Sequence, residues 1–497
     1  EGVMPQTRFV LRKALERGLK PILVVNKIDR PEQRSEEIID EVFDLLVELG
    51  ADDEQLDFHT VFASAKAGVA TRDMADEPVD IRPLMEAILE CTEAPMVDLE
   101  GPMQFQAVTF SYDAYVGRLV IGRVNRGVLK RGSNVVCVNK DGKKSSFRVT
   151  KLFGTRGIDR VEMEEARAGD IAILAGIDSI EIGDTICDPS FPEALPRIAI
   201  DPPTISVYLQ VNTSPFAGRE GKYVTSRQIG DRLRREGLTN ISVAIAATDR
   251  QDSFQVSGRG ELQIAVLVET MRREGFEFAV SRPEIIPREI DGKKSEPVED
   301  VVIDAPEWAA GSVMEKLAIR KGRMVNMNQE SGRVSFSFIV PSRGLFGYRS
   351  EFLTDTRGEG VMYATLKGYE PWVGDMDQRP VGAIVSTDQG QTTPFAIVKI
   401  QERVALFVDP GVQVYEGQVV GENRRPGDMQ VNICRAKKLD NMRASGKDDT
   451  PVITPARKMT IESALEWIED DELLEVTPEN LRLRKKSLSR SSRKRTV

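Results

Sequence analysis

The hydrophobic period of this 497-residue chain switches near residue 101, and a chain whose period switches cannot be built on one layer arrangement. Before the switch, helix and strand signals alternate. Arg8 to Arg17 places Phe9, Leu11, Ala14 and Leu15 at helical spacing and stops at Gly18, and Pro21 to Val25 is an apolar run short enough for a buried parallel strand. A helix over Ser35 to Leu49, a strand over Thr60 to Ala63 and a helix over Pro83 to Glu90 follow. After the switch, short β runs such as Gly117 to Val124 are separated by turns at Gly127, Gly132, Asp141-Gly142, Gly169-Asp170 and Gly183-Asp184, which is the texture of a small β-barrel. A proline-rich linker occupies Pro192 to Pro203. Beyond it, two stretches of similar size mix strands with helices, notably Gly260 to Glu274 and Ser312 to Lys321, and β-like segments with one short helix entered at Thr460 lead to a basic tail. The expected fold is multidomain, α/β then β-barrel then α+β, in five units over residues 1–95, 101–192, 203–290, 295–372 and 373–497.

With 40% hydrophobic residues the chain can fill several cores, which excludes disorder throughout. No run of about 18 apolar residues exists, so no membrane-spanning helix is expected. Net charge is −10, but eight basic residues and no acid lie between Arg482 and Val497, so the remaining body carries −18. A local contact with a polyanion fits that asymmetry better than a global one. Cys91, Cys137, Cys187 and Cys434 stand singly beside one histidine, His59, which leaves no zinc spacing and suits a reducing cytoplasm. Any Ser-His-Asp or Cys-His chemistry would have to use His59, and its place at a strand entry favours a structural role. No metal site is expected.

Asn26-Lys27-Ile28-Asp29 directly follows the apolar strand ending at Val25. In a purine-reading loop the Asp29 carboxylate accepts both hydrogen bonds from the N1–H and N2–H₂ edge of guanine, the Lys27 stem covers the ring, and Asn26 ties neighbouring loops. Adenine lacks that donor pair. Ser64-Ala65-Lys66 follows the next apolar strand, where the Ala65 N–H can reach guanine O6, so both loops stand on strand ends where open α/β sheets bind ligands. The phosphate half is different. No GxxxxGK[ST] occurs, since the Gly-Lys pairs at 142, 221, 292 and 446 lack both the upstream glycine and the following Ser or Thr. Asp98-Leu99-Glu100-Gly101 matches DxxG, but it comes after the base-reading loops in a Pro-flanked linker and is read as coincidence. Without a backbone nest and its lysine the electrostatics of phosphoryl transfer are missing, so no catalytic residue is assigned. Glu1-Gly2-Val3 shows neither an initiator Met nor a signal peptide, and the reading is a chain that starts inside its nucleotide domain.

The order of units resembles the translational GTPases of the elongation factor G group. Gly2 to Thr7 resembles the segment these factors carry after their DxxG region, and Ser257 to Leu262 resembles their GxGELH stretch, with Gln263 in place of the usual His. Asn212 to Phe216, Val340 to Phe352 and Lys437 to Gly446 are similar to the BipA/TypA family, and the resemblance runs from Glu1 to Lys486. It implies a partial P-loop-type G domain, a translation-factor barrel, two ferredoxin-like α+β domains and a family-specific last domain. It further implies a cytoplasmic, monomeric, ribosome-dependent GTPase using GTP or GDP with Mg²⁺, linked to large-subunit assembly and to stress or cold. The last domain would approach rRNA and the tRNA acceptor end. The family's P-loop, Mg²⁺-binding Thr and post-DxxG histidine would precede Glu1.

Two places suit phosphate contact in the last unit. Lys437, Lys438 and Arg443 share a segment with Asn441, and Gly446 favours a turn. Leu481 to Lys486 alternates, so a strand there places Arg482, Arg484 and Lys486 on one face where they can follow a phosphate backbone. Ser489 to Val497 is too polar to pack. The alternative class is a non-hydrolytic ribosome- or RNA-binding module.

Overall fold

The structure is a computed structural model, and it describes residues 2–94, 96–113, 115–176, 180–196, 202–240, 242–330, 332–376, 379, 381–436 and 452–489. In the first unit, strands Ile22–Asn26 and His59–Ser64 pair in parallel, and Val69–Thr71 adds an antiparallel edge. Helix Pro5–Leu15 begins three residues earlier than its apolar spacing indicates, because Pro5 at its first turn presets the backbone and needs no amide donor there. Helices Ser35–Glu48 and Arg82–Cys91 appear where the pattern puts them. Helix Asp53–Leu56 was not anticipated; one turn is too short to show a period, and it is held by Asp52 accepting the Gln55 N–H at 2.9 Å. His59 opens its strand, half-exposed, with Nδ1 3.8 Å from Glu90.

The second unit is β throughout, an eight-stranded sheet with a two-stranded annex, closed over Phe105, Val120, Val124, Leu129, Leu152 and Ile186. Gly122 lies in strand Gly117–Arg126 where a Cβ would stand 1.9 Å from the Gln106 carbonyl oxygen, so the close strand pairing requires glycine. Cys137 and Cys187 are buried thiols in this barrel. Asp98 accepts the Gly101 N–H at 2.9 Å, so the DxxG string closes a turn.

The third and fourth units each run strand, helix, strand, strand, helix, strand, and each sheet has the order 2-3-1-4, the ferredoxin-like arrangement. The third uses Ile205–Gln210, Ala244–Ala247, Ser253–Gly258 and Phe278–Ser281; the fourth uses Lys293–Pro306, Arg323–Glu330, Arg333–Pro341 and Val361–Pro371. The fourth is locked at its rim by Arg343, which forks onto the buried Glu296 carboxylate at 2.5 and 2.9 Å and lies 3.9 Å over Trp372. Lys316, Arg320 and Arg323 are paired with Asp355, Glu351 and Glu370 respectively.

The last unit does not stand alone. Strand Phe278–Ser281 pairs antiparallel with Glu472–Val476, Phe278 opposite Val476, and Glu472–Val476 pairs in turn with Leu481–Lys485. The third unit's sheet therefore continues into the last one as a single eleven-stranded sheet, and Ile205, Phe278, Leu465, Leu474 and Leu483 share one core. Helix Ile461–Trp467 covers it, entered at Thr460, which accepts the Ser463 N–H at 3.2 Å. Among the described residues no helix is long and apolar enough to cross a membrane.

Candidate guanine-reading loops and basic face

Register decides how the two base-reading loops meet. Because Asn26 stands opposite Ala63 in the parallel pair, both strands end at the same level and deliver their loops side by side. Asn26 Oδ1 accepts the Lys27 N–H at 2.8 Å and the Ala65 N–H at 3.0 Å, so it ties the loops as expected. Lys27 has φ +71°, a left-handed conformation that few non-glycine residues adopt and that tends to persist where surrounding structure enforces it. The Ser64 hydroxyl donates to Asp29 Oδ1 at 2.8 Å. That bond is the main reason the Asp29 carboxyl sits below its ordinary value, with its own backbone N–H, Lys66 and Arg30 adding to it, so the group is a charged hydrogen-bond acceptor. Lys27 and Lys66 are exposed beside it.

Two details differ from expectation. Ala65 N–H, expected at guanine O6, is committed to Asn26, so an entering base competes with that bond. The Ser64–Asp29 bond was not foreseen, although two loops on level parallel strands make it possible. Among the described residues no group of three or more His, Cys, Asp or Glu side chains is arranged to hold a metal ion. The donor set thus fits the base of GTP or GDP; no residue in it fits the phosphates or Mg²⁺, and no hydrolytic step is derived from these residues.

The basic face needs a larger correction. Strand Leu481–Lys485 alternates as read, but it is an interior strand and the face carrying Arg482 and Arg484 is buried against the third unit. Arg482 pairs with Glu220 and, at 3.0 Å, with Glu475. Arg484 is fully buried and donates to Thr213 Oγ1 at 3.1 Å. Lys485 pairs with Asp428, Asp471 and Glu472 at 2.6–2.9 Å. Neither Arg482 nor Arg484 is available to a phosphate backbone. Lys486, just past the strand, is exposed. Lys437, Lys438, Asn441 and Arg443 lie outside the described residues, as does the tail from residue 490.

What the sequence hid here is a junction. Asn212 and Ser214 donate to Glu475 at 3.2 and 3.0 Å, Tyr415 donates to its other oxygen, and Asn212 also donates to the fully buried Glu277 at 2.9 Å. The Asn212 to Phe216 string is therefore the polar lining between the third and last units. Its signal was visible only as a family resemblance, because its partners are distant in sequence, Glu277 by 65 residues and Glu475 by about 260.

Comparison with known proteins follows this architecture. Residues 1–94 match the elongation factor Tu GTP-binding domain, 117–187 elongation factor Tu domain 2, 293–380 the elongation factor G C-terminus and 381–490 the TypA/BipA C-terminal domain. Over its whole length the chain is 49% identical to the large ribosomal subunit assembly factor BipA of Escherichia coli K12, covering 82% of that protein. The chain belongs to the BipA/TypA family of translational GTPases. The BipA of Haemophilus influenzae is 49% identical with 81% of its length covered, and that of Bacillus subtilis is 48% identical with 82% covered, both matched by the whole chain. BipA/TypA membership accounts for the three strings at 212–216, 340–352 and 437–446 together, two of which line unit junctions or rims described above.

Proposed function

We propose that this chain is a cytoplasmic, monomeric ribosome-binding factor of BipA/TypA type that acts in large-subunit assembly, with a role under stress or cold. The observation that carries this reading is the guanine-reading arrangement, Asp29 oriented by Ser64 and the two loops tied by Asn26, in a chain alike from end to end to proteins named as large-subunit assembly factors. Its partners in this reading are rRNA and the tRNA acceptor end, reached by Lys437, Lys438, Asn441, Arg443 and Lys486. GTP or GDP is read by its base through Asn26, Lys27, Asp29, Ser64, Ala65 and Lys66. Base contacts without a phosphate nest give weak affinity, so a fluorescent GDP titration is expected to give no sub-micromolar binding, and Asp29→Ala is expected to erase the preference for guanine over adenine nucleotides.

Ribosome co-sedimentation tests the reading as a whole. The chain should pellet with large subunits, and replacing Lys437, Lys438 and Arg443 by Ala should weaken pelleting and flatten its salt dependence by roughly one to three phosphate contacts. Failure of the unsubstituted chain to bind large subunits or their precursors at low salt would sink it.

A further inference from the structure

A cleft of about 600 Å³ opens between the first and fourth units. One wall is helix Pro5–Leu15 with the residues that follow Glu48; the other is the fourth unit's sheet. In a parallel sheet each connecting helix ends near the start of the next strand, so Leu15, Glu16, Leu49 and Gly50 mark the end of the sheet opposite the guanine-reading loops. The cleft is a separate place.

Its lining charges balance, Arg8, Arg12 and Arg333 against Glu16, Glu48 and Asp304, but one cation has no direct partner. Arg8 is held by Glu48 at 2.7 Å, Arg333 by Asp304, and Glu16 by Lys13 at 2.7 Å. The Arg12 side chain, half-buried in the wall, makes no direct ion pair or hydrogen bond with a described residue, although its charge reaches Glu48 and helps to hold that carboxyl below its ordinary value. A guanidinium carries five donors in a planar fork that matches phosphate, and in a partly enclosed site it gains more from an anion than it does in open water. Facing it, Asn326 and Asn328 stand two residues apart on strand Arg323–Glu330 and so project from the same face. That strand pairs on one side only, with Arg333–Pro341. Asn326 accepts the Met327 N–H at 2.9 Å, which leaves its amide donors for a guest. Side-chain amides that both donate and accept are the groups that read a base edge. The volume lies within the range of small-molecule sites and exceeds what a phosphate alone needs.

We propose that this cleft binds a nucleotide-sized phosphorylated ligand, its phosphate on Arg12 and its base edge on Asn326 and Asn328, and that the bound ligand pins the first unit to the fourth. The ligand is a free mononucleotide or an unstacked nucleotide offered by an RNA strand; both present the same phosphate and base edge. Equilibrium dialysis of the full chain against radiolabelled AMP, ADP, GMP and GDP, and separately against a short single-stranded RNA, tests it. Asp29→Ala is used as the background so that the guanine-reading loops do not contribute. Saturable binding is expected to persist in that background, to fall at least about tenfold with Arg12→Ala, to recover in part with Arg12→Lys, and to fall also with Asn328→Asp, which removes the amide donors from the base edge and adds a negative charge to a cleft that takes an anion. Asn328 is exposed, so that variant keeps the fold even if Arg12→Ala does not. Mononucleotide binding with this pattern assigns a free nucleotide; RNA binding alone with this pattern assigns a nucleotide within RNA. Absence of saturable binding in either arm up to millimolar concentration, or binding indifferent to Arg12 and Asn328, overturns the proposal. Because the Asp29 loops and ribosome pelleting are read separately, either result leaves the assembly-factor reading to its own test.

Discussion

Glu261 opens helix Glu261–Arg273 where the third, fourth and last units meet, and its Oε1 is buried without a hydrogen-bond partner. Burial raises its pKa to about 8, Glu466 from the last unit and Glu299 from the fourth push the same way, and the Gly347 N–H and Arg320 oppose them. The folded protein therefore holds a proton that the unfolded chain releases near the ordinary value of 4.5. Between those two values the folded state binds more protons, so the stability contributed by this group falls as pH rises through the window, by at most about 1.4 kcal/mol per pH unit. Denaturant titrations from pH 5 to 8 should show that slope, and Glu261→Gln should flatten it and raise stability at neutral pH. An unchanged slope in the variant would assign the effect to other carboxyls. At this scale the sequence was readable where Asn26 ties the two loops, whose strands are adjacent and parallel, but not for the Ser64–Asp29 bond between them. It was unreadable for Glu261, whose neighbours come from three units.

Strand Leu481–Lys485 shows what an element's own pattern leaves open. Its alternation fixes two faces, yet alternation is the same whether the charged face meets water or a partner sheet that brings its own carboxylates. Glu220 and Glu475 supply those carboxylates, so the arginines became interior. The barrel, the α+β character of the third and fourth units and the helix entered at Thr460 show the opposite case: each was legible because its turns and caps lie within the element, whereas the ferredoxin-like strand order was implied only by the family resemblance. Removing one member of a buried ion pair strands the other, so Arg482→Ala is expected to cost about 3–5 kcal/mol, whereas Arg482→Met combined with Glu475→Gln should cost less. Urea unfolding of the two variants decides it; equal losses would mean that the pair contributes shape rather than charge.

For the molecule as a whole, the shared sheet joins the third unit to the last while the barrel and the fourth unit keep separate cores. Thermal unfolding followed by hydrogen exchange should therefore find the core amides around Val207, Phe278, Leu474 and Leu483 opening together, and those around Val301 and Phe336 opening as another unit. Protection that splits between Phe278 and Leu474 would contradict a common core. Five units could be read along the chain because linkers are local; the fusion of two of them rests on pairing across about 200 residues, which no local signal carries.

That pairing also has a clock. A ribosome adding about 5–20 residues per second needs some ten to forty seconds to travel from Phe278 to Val476. Until Glu472–Val476 is made, strand Phe278–Ser281 pairs on one side only, with Ile205–Gln210, and the backbone groups on its other side have no strand partner. The open edge is thus an aggregation hazard for as long as synthesis takes to reach Glu472–Val476, the strand that closes it.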